Sequence, residues 1–296
     1  MAMQAKRPLI TIITPVYNAA SLIVSCIEKL QQQSSVDFEH LVVDGLSNDN
    51  TVELVRDCQQ RYANLRLVSE KDQGVYDAMN KGIQHANGQW LFFLGADDYL
   101  YSTDVLEKIG THLQQAGSDV QLLYGNVYYE AYSRLYDGMF DHEKILKRNV
   151  CHQAVFYRAT VFAALGNYSL LYPSEADYEF NLRCWLSGRV KQIYVPLTIA
   201  WYAQGGLSGA GRDTQLVHDY PAITTRLVAQ GQWPAAQKIN LLSKVFRKLV
   251  QRYPAAVWKK ACQVPGHSLT CYLAMAWMIG TLPFYLIFKN DKDSPA

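Results

Sequence analysis

The sequence lacks the patterns that identify several common classes of enzyme. Its six cysteines show no C-x-x-C spacing, which argues against a structural zinc site and against a disulfide framework. The first predicted strand is not followed by a G-x-G-x-x-G turn, and the chain has no G-x-x-x-x-G-K-[ST] loop and no G-x-S-x-G elbow. Dinucleotide-dependent oxidoreductases, P-loop nucleotidases and serine hydrolases are therefore disfavoured.

Acidic residues are missing from a long stretch near the C-terminus. Residues 220–290 contain nine Lys or Arg and no Asp or Glu, whereas residues 1–219 contain 18 Lys or Arg and 24 Asp or Glu. An acidic body followed by a basic tail indicates two regions with different partners. We therefore divide the chain into a catalytic domain, residues 1–215, and a basic, apolar, helical C-terminal region, residues 216–296.

Predicted strands and helices alternate over the first third of the chain. This rhythm is typical of an α/β fold, in which helices cover both faces of a mainly parallel sheet. Such a sheet binds ligands at the carboxyl ends of its strands. The predicted strands are Leu9–Tyr17, Phe38–Val43, Leu65–Ser69 and Trp90–Leu94, and the helices between them are Ala19–Gln33, Asn50–Tyr62 and Val75–Ala86.

Carboxylates at two positions are candidates for chemistry. Asp97 and Asp98 directly follow the fourth predicted strand, and paired carboxylates there suit a hard divalent cation such as Mg²⁺ or Mn²⁺. The alternative is that they only cap a helix beginning near Ser102. Asp177 lies in S-E-A-D, which matches a capping box that starts at Ser174. Because a helix N-terminus favours an ionised carboxylate, capping and a role as general base are compatible.

Five short motifs occur in a fixed order along the chain. They are T-P-V-Y-N at 14–18, V-V-D-G-L-S-N-D-N-T at 42–51, D-Q-G-V-Y-D-A-M-N-K-G at 72–82, G-A-D-D at 95–98 and E-A-D at 175–177. The series resembles the family-two inverting glycosyltransferases of the GT-A fold, especially bacterial enzymes of O-antigen or exopolysaccharide synthesis. The resemblance covers residues 8–210 and implies a nucleotide-binding sheet with a helical C-terminal tail.

The resemblance also implies a role for individual residues. Nucleotide contacts, a metal ligand, a catalytic base and an acceptor-side or mobile loop are all expected. The nucleotide would contact Thr14, Pro15, Val16, Tyr17, Asp44, Asp72 and Asp97; Asp98 would hold the metal; Asp177 would be the base; and the acceptor or loop candidates are His152, Gln153, Gly205, Gly206 and Ser208. Three positions depart from the family pattern, namely Gly95, Met79 and Ala176.

We therefore expect an inverting, metal-dependent enzyme. It would transfer a sugar from a nucleotide-diphospho-sugar, such as a UDP-sugar, to a hydroxyl of a lipid-linked saccharide in surface polysaccharide synthesis, with Mn²⁺ or Mg²⁺ as cofactor. Two alternatives stay open. A nucleotidyltransferase would need a Gly-rich, basic loop after the first strand, which residues 14–18 do not provide. An inactive scaffold subunit would explain Gly95 and Met79.

The tail predicts a location in the cell. Residues 239–250 place Ile239, Leu242 and Val245 on one helical face and basic side chains on the other, which suits an anionic membrane surface. The stretch Ser268–Phe288 has no charged side chain. The start of the sequence has no signal-peptide cleavage pattern. We therefore expect a cytoplasmic enzyme that is held peripherally at the inner membrane through residues 239–288. We do not expect it to bind nucleic acid. The alternative is that these helices pack on the catalytic domain or on a second subunit.

Overall fold

A nine-stranded sheet with helices on both faces organises the part of the chain that the computed structural model describes, residues 7–34, 37–202 and 213–252. The elements, in chain order, are β1 Ile10–Val16, α1 Ile23–Gln31, β2 Phe38–Asp44, α2 Thr51–Gln59, β3 Leu65–Ser69, α3 Val75–His85, β4 Trp90–Phe93, β5 Tyr99–Leu100, α4 Val105–Gln115, β6 Val120–Tyr129, β7 Arg134–Tyr136, α5 His142–Ile145, β8 Val155–Arg158, α6 Thr160–Leu165, α7 Ala176–Leu186, β9 Lys191–Tyr202, α8 Thr214–Gln230 and α9 Ala235–Arg252.

The first four strands form the parallel half of the sheet, in the order β3-β2-β1-β4. The chain leaves β1 towards β2 and β3, and it then returns to β4 on the other side of β1. The carboxyl ends of β1 and β4 therefore form a topological switch point, which is where sheets of this kind bind ligands. The α/β prediction, with a mainly parallel sheet flanked by helices, is confirmed for this half.

The second half of the sheet is mixed. Strand β8 runs antiparallel to both β4 and β6, whereas β9 runs parallel to β6. The short strands β5 and β7 pair antiparallel with β9 and β6. This arrangement extends the sheet beyond β4, and it brings the ends of β6, β7 and β9 close to the switch point.

Side chains of the central strands alternate between two cores. Ile13 and Phe93 belong to the core on one face of the sheet, while Ile12 and Phe92 belong to the core on the other. Helix α3 lies very close to the first face, because a Cβ at Gly82 would come within 2.4 Å of the Ile13 Cγ2 atom. A glycine at this position therefore allows the helix that carries the Asp72–Gly82 motif to pack directly on β1.

The basic amphipathic helix that the sequence predicts at 239–250 is part of α9, and its apolar face is not free. Leu241, Leu242 and Val245 are 2%, 5% and 2% exposed. They share one core cluster with Leu216 of α8 and with residues of the sheet and α7. The prediction that this face contacts a membrane is wrong for the described residues, because it packs on the catalytic domain. It follows that the division at residue 215 does not separate two cores.

The predicted membrane-associating segment continues beyond α9, which ends the described part of the chain. In the part of the chain that the structure describes, no helix is long and apolar enough to cross a membrane. Residues 253–288, which complete the predicted membrane-associating segment, lie outside the described residues.

Candidate active site

A cleft opens at the switch point, and we call it the switch-point cleft. Two adjoining cavities of about 600 and 360 Å³ make up the cleft, and both are lined by Pro15, Val16 and Tyr17 from the end of β1. The larger cavity extends to Asp72, and the smaller extends to Asp97 and Asp98. The structure therefore brings together six of the residues that the sequence assigns to nucleotide or metal binding.

Thr14 and Asp44 are buried beside this cleft, and their predicted contact with the nucleotide stays a prediction. Both residues are 0% exposed. The Thr14 hydroxyl lies 3.0 Å from the His40 Nε2 atom inside the sheet. The Asp44 carboxylate accepts hydrogen bonds from the hydroxyls of Ser47 and Ser69, at 2.5 and 2.6 Å. Asp44 therefore fixes the loop after β2, part of which lines the cleft.

The carboxylates of Asp97 and Asp98 converge above Gly95. A Cβ placed on Gly95 would lie 2.8 Å from the Asp97 Oδ1 atom and 2.9 Å from the Asp98 Oδ2 atom. The missing side chain at residue 95 leaves the space into which both carboxylates point. Two converging carboxylate oxygens suit a hard cation whose other ligands are phosphate oxygens. In the described residues no cluster of three or more His, Cys, Asp or Glu forms a complete metal site.

Asp98 is held in place and desolvated. Its Oδ2 atom accepts hydrogen bonds from the Gly95 backbone N–H, at 3.1 Å, and from the Gln153 Nε2 atom, at 3.0 Å. Burial raises the pKa of Asp98, and the nearby His152 and the Gln153 hydrogen bond offset only part of this effect. A buried carboxylate next to a second one is stabilised by a nearby positive charge, so this pair fits a divalent cation.

Asp177 lies in the first turn of α7, although the predicted capping box is wrong. The helix begins at Ala176, and its N-cap residue, Glu175, makes no side-chain capping bond. The hydroxyl of Ser174 lies 3.5 Å from the Oδ2 atom of Asp213, the residue before α8, and does not cap α7. Because α7 starts two residues after Ser174, Asp177 is its second residue and still lies at the positive end of the helix.

The Asp177 carboxylate is buried, and each of its oxygens has a partner. The Tyr76 hydroxyl donates to Oδ1 at 2.8 Å, and the Asn149 Nδ2 atom donates to Oδ2 at 2.7 Å. Nδ1 of His152 lies 3.6 Å from Oδ2. Burial on its own raises the pKa of Asp177, but His152 and Tyr76 outweigh burial and lower it below the usual value. Asp177 is therefore ionised at neutral pH and available to accept a proton.

His152 lies between the two groups of carboxylates. Burial lowers its pKa, but the negative charges of Asp177, Asp98 and Asp97 outweigh burial and raise the pKa above the usual value. His152 and Gln153 line the switch-point cleft on one side and a second cavity on the other. Tyr202 also lines both, so the two cavities adjoin at these three residues, with Asp97 and Asp98 in the switch-point cleft and Asp177 in the second cavity.

The second cavity, which we call the tyrosine cavity, has a volume of about 200 Å³. Asp177 lies at one end of it with Asn149, His152 and Gln153. Its other walls come from the ends of β6, β7 and β9 and from the segment before β8, namely Val127, Tyr129, Tyr136, Val150, Cys151 and Tyr202. The carboxylate most suited to act as a base therefore faces the tyrosine cavity, which adjoins the cleft that holds the paired carboxylates.

Sequence reasoning missed several residues of this site. Tyr76 is part of the quoted 72–82 motif, so the motif located it without indicating its bond to Asp177. Asn149 lies in an irregular segment, and no periodicity or spacing identifies it. Gly205, Gly206 and Ser208, the predicted mobile loop, lie outside the described residues.

Comparison with known proteins assigns the chain to a family. Residues 11–165 match the model of Glycosyl transferase family 2, and the chain belongs to that family. The chain is 37% identical over 253 residues to the PGL/p-HBAD biosynthesis glycosyltransferase of Mycobacterium tuberculosis, which covers 82% of this chain and 96% of the relative. Glycosyltransferase AglE of Haloferax volcanii is 31% identical over 191 residues, or 61% of this chain and 62% of that protein. The protein is thus a glycosyltransferase.

Solved structures share the fold. S. aureus TarS in complex with UDP-GlcNAc matches with a TM-score of 0.67 and 17% identity, over 94% of this chain and 82% of that one. The mannosyltransferase PcManGT from Pyrobaculum calidifontis, in complex with GDP-Man and Mn²⁺, matches with a TM-score of 0.54 and 16% identity, over 95% and 83%. The predicted GT-A fold is confirmed.

Proposed function

We propose that this glycosyltransferase transfers a sugar from a UDP-sugar to a hydroxyl of a saccharide acceptor, with inversion at the anomeric carbon. The observation that carries the proposal is that the cavity lined by Asp177 and the cleft lined by Asp97 and Asp98 adjoin at His152, Gln153 and Tyr202, which line both. A base on one side and a diphosphate-binding carboxylate pair on the other suit attack from the face opposite the leaving group. The UDP and UDP-GlcNAc complexes of TarS support the choice of nucleotide.

The donor would occupy the switch-point cleft. Its larger cavity, between Tyr17 and Asp72, suits the nucleobase of the donor. Its smaller cavity, which reaches Asp97 and Asp98, suits the ribose and the diphosphate. Tyr17 is 60% exposed, so its ring can pack against the flat nucleobase. Thr14 and Asp44 would hold the two loops on which these contacts depend.

The transfer step follows from the position of Asp177. An Asp177 oxygen would take the proton from the acceptor hydroxyl while the acceptor oxygen bonds to the anomeric carbon. The bond between that carbon and the diphosphate oxygen would break, and the electron pair would leave with UDP. Tyr76 and Asn149 hold the carboxylate in one orientation, which fixes the line of attack. No covalent intermediate with the enzyme is required.

Asp98, together with Asp97, would hold Mn²⁺ or Mg²⁺. A bound divalent cation would supply stabilisation of the negative charge that develops on the departing diphosphate. The convergence of both carboxylates over Gly95 and the raised pKa of Asp98 support this assignment. Gly95, although it departs from the family pattern, therefore does not argue for an inactive scaffold.

The acceptor is proposed to be lipid-linked, at the cytoplasmic face of the inner membrane. Support comes from the sequence, in which Lys259 and Lys260 precede the uncharged stretch Ser268–Phe288. A role in O-antigen or exopolysaccharide synthesis stays a prediction, since the mycobacterial relative is named for PGL/p-HBAD biosynthesis.

The substitution Asp177→Asn tests the base. The variant keeps an acceptor oxygen for the Tyr76 hydroxyl, while its NH₂ group replaces the oxygen that accepts from Asn149; it should still bind UDP, but it cannot take a proton. The donor is first identified by thermal stabilisation of the protein with a panel of UDP-sugars. We expect the variant to turn over this donor about 10²–10⁴-fold more slowly than the wild type. The control Asp119→Asn changes an exposed carboxylate, 64% exposed in its ion pair with Lys191, and should keep full activity. Retention of a tenth of wild-type turnover by Asp177→Asn would remove Asp177 from the role of base.

Calorimetry of UDP binding tests the metal assignment. Wild-type protein should bind UDP at least ~10-fold more tightly with Mn²⁺ than with EDTA, a difference of about 1.4 kcal/mol. Asp98→Ala should bind UDP equally under both conditions, while Asp119→Asn should behave like the wild type. Equal affinity of the wild type with Mn²⁺ and with EDTA would contradict the assignment.

Flotation with anionic liposomes tests the membrane proposal. The full chain should rise with the lipid at low salt. A chain ending at Arg252, which keeps the buried face of α9, should stay at the bottom. If the shorter chain floats as well, residues 253–288 are not the membrane-binding segment; if neither floats, the location at the membrane is wrong.

A further inference from the structure

The tyrosine cavity has an apolar corner made by two strands. Tyr129 at the end of β6 and Tyr202 at the end of β9 are register partners in the sheet. Their ring centroids lie 4.8 Å apart, and the ring planes meet at 89°. Val127 and Val150 add aliphatic surface. A flat or chair-shaped ring entering the cavity would therefore meet a tyrosine face on one side and aliphatic groups around it.

The polar side chains at the other end of the cavity already have protein partners. Asn149 donates to Asp177 and accepts from Asn181 at 2.9 Å. Gln153 donates to Asp98 and accepts from the Cys151 thiol at 2.6 Å. The Tyr136 hydroxyl donates to the Asn149 backbone carbonyl at 2.8 Å. This end of the cavity therefore has few polar groups left with which to recognise the hydroxyls of a ligand.

Size and charge limit the occupant further. A volume of about 200 Å³ compares with the roughly 150 Å³ of an engineered cavity that holds one benzene ring, so the space suits one six-membered ring. No Lys or Arg occurs among the described residues that line the cavity. A phosphate or other anion would therefore find no free cation, because His152 is already paired with Asp177.

We propose that the tyrosine cavity holds a single pyranose ring of the acceptor, recognised by its apolar face and not by its pattern of hydroxyls. This inference rests on the proposed function, since it takes the acceptor to be a saccharide. The C–H face of the ring packs against Tyr129 and Tyr202. One hydroxyl points to Asp177, and that oxygen is the nucleophile.

This mode of recognition has a measurable consequence. A site that hydrogen-bonds a substrate hydroxyl rejects the analogue that lacks it by about 10⁴–10⁵-fold, because buried polar groups lose their partners. A site whose polar groups bind one another has no such penalty. Removal of a hydroxyl that does not react should therefore change acceptor affinity only slightly.

The test measures binding of methyl glycosides to the full-length protein in the presence of UDP and Mn²⁺. The probes are the methyl pyranosides of glucose, galactose and mannose, each with its 6-deoxy counterpart, and p-nitrophenol as an aryl probe. We expect the glycosides to bind, and each deoxygenated probe to bind within about tenfold of its parent. Failure of every glycoside to bind, a larger loss on deoxygenation, or tighter binding of p-nitrophenol than of every glycoside would overturn the proposal.

Substitution of Tyr129 separates packing from hydrogen bonding. Tyr129→Ala should weaken glycoside binding by about tenfold, because the stacking surface is lost, whereas Tyr129→Phe, which keeps the ring, should bind like the wild type. UDP affinity should stay unchanged in both. The control Tyr101→Ala removes a tyrosine that is 44% exposed and does not line the cavity, and it should have no effect.

Two results separate this inference from the proposed function. If Tyr129→Ala binds glycosides as tightly as the wild type, or if Tyr101→Ala weakens them equally, the assignment of the cavity is wrong while UDP binding and transfer remain. If the wild-type protein fails to bind UDP or any UDP-sugar, the proposed function itself fails.

Discussion

The buried carboxylate of Asp177 is the interaction on which the rest of the site depends. Its partners come from separate parts of the chain: Tyr76 lies on α3, and Asn149 and His152 lie in the segment before β8. An ionised group at 9% exposure is stable only when its hydrogen bonds are satisfied. The carboxylate therefore holds α3, α7 and the segment before β8 together around the reaction centre.

This arrangement extends into the sheet. Asn149 is also bound by Asn181 of α7, and Asn181 in turn accepts a hydrogen bond from the Tyr157 hydroxyl of β8 at 2.7 Å. Since β8 pairs with β4, the position of Asp177 is linked to the strand that precedes Asp97 and Asp98. The two groups of carboxylates are thereby fixed relative to each other by the rigid sheet, as a reaction with a defined line of attack requires.

The sequence predicts the parts of the fold that depend on local pattern. Alternating apolar strands and helices located the parallel half of the sheet and placed Tyr17, Asp72 and Asp98 at its ligand-binding edge. Burial of polar side chains was not predictable in this way. Asp44 lies at a strand end like the others, yet the hydroxyls of Ser47 and Ser69 make its burial possible. These partners are visible only once the loops are folded.

Contacts between distant segments explain why the packing of α9 and the tyrosine cavity were not predicted from the sequence. The apolar face of α9 has the same helical periodicity whether it meets a membrane or a protein core, so the pattern alone left both interpretations open. Leu241 and Val245 pack on the core because α8 brings α9 back to the catalytic domain. The tyrosine cavity likewise combines β6, β7 and β9, whose pairing over long sequence separations no short motif encodes.

The central claim is the proposal that Asp177 and the paired carboxylates Asp97 and Asp98 act from opposite sides of the anomeric carbon, where the tyrosine cavity adjoins the switch-point cleft. The most direct measurement is the anomeric configuration of the product, determined by NMR from the coupling constant of the anomeric proton. In-line attack from the side of Asp177 predicts a configuration opposite to that of the donor sugar. A product that keeps the donor's configuration would contradict the account.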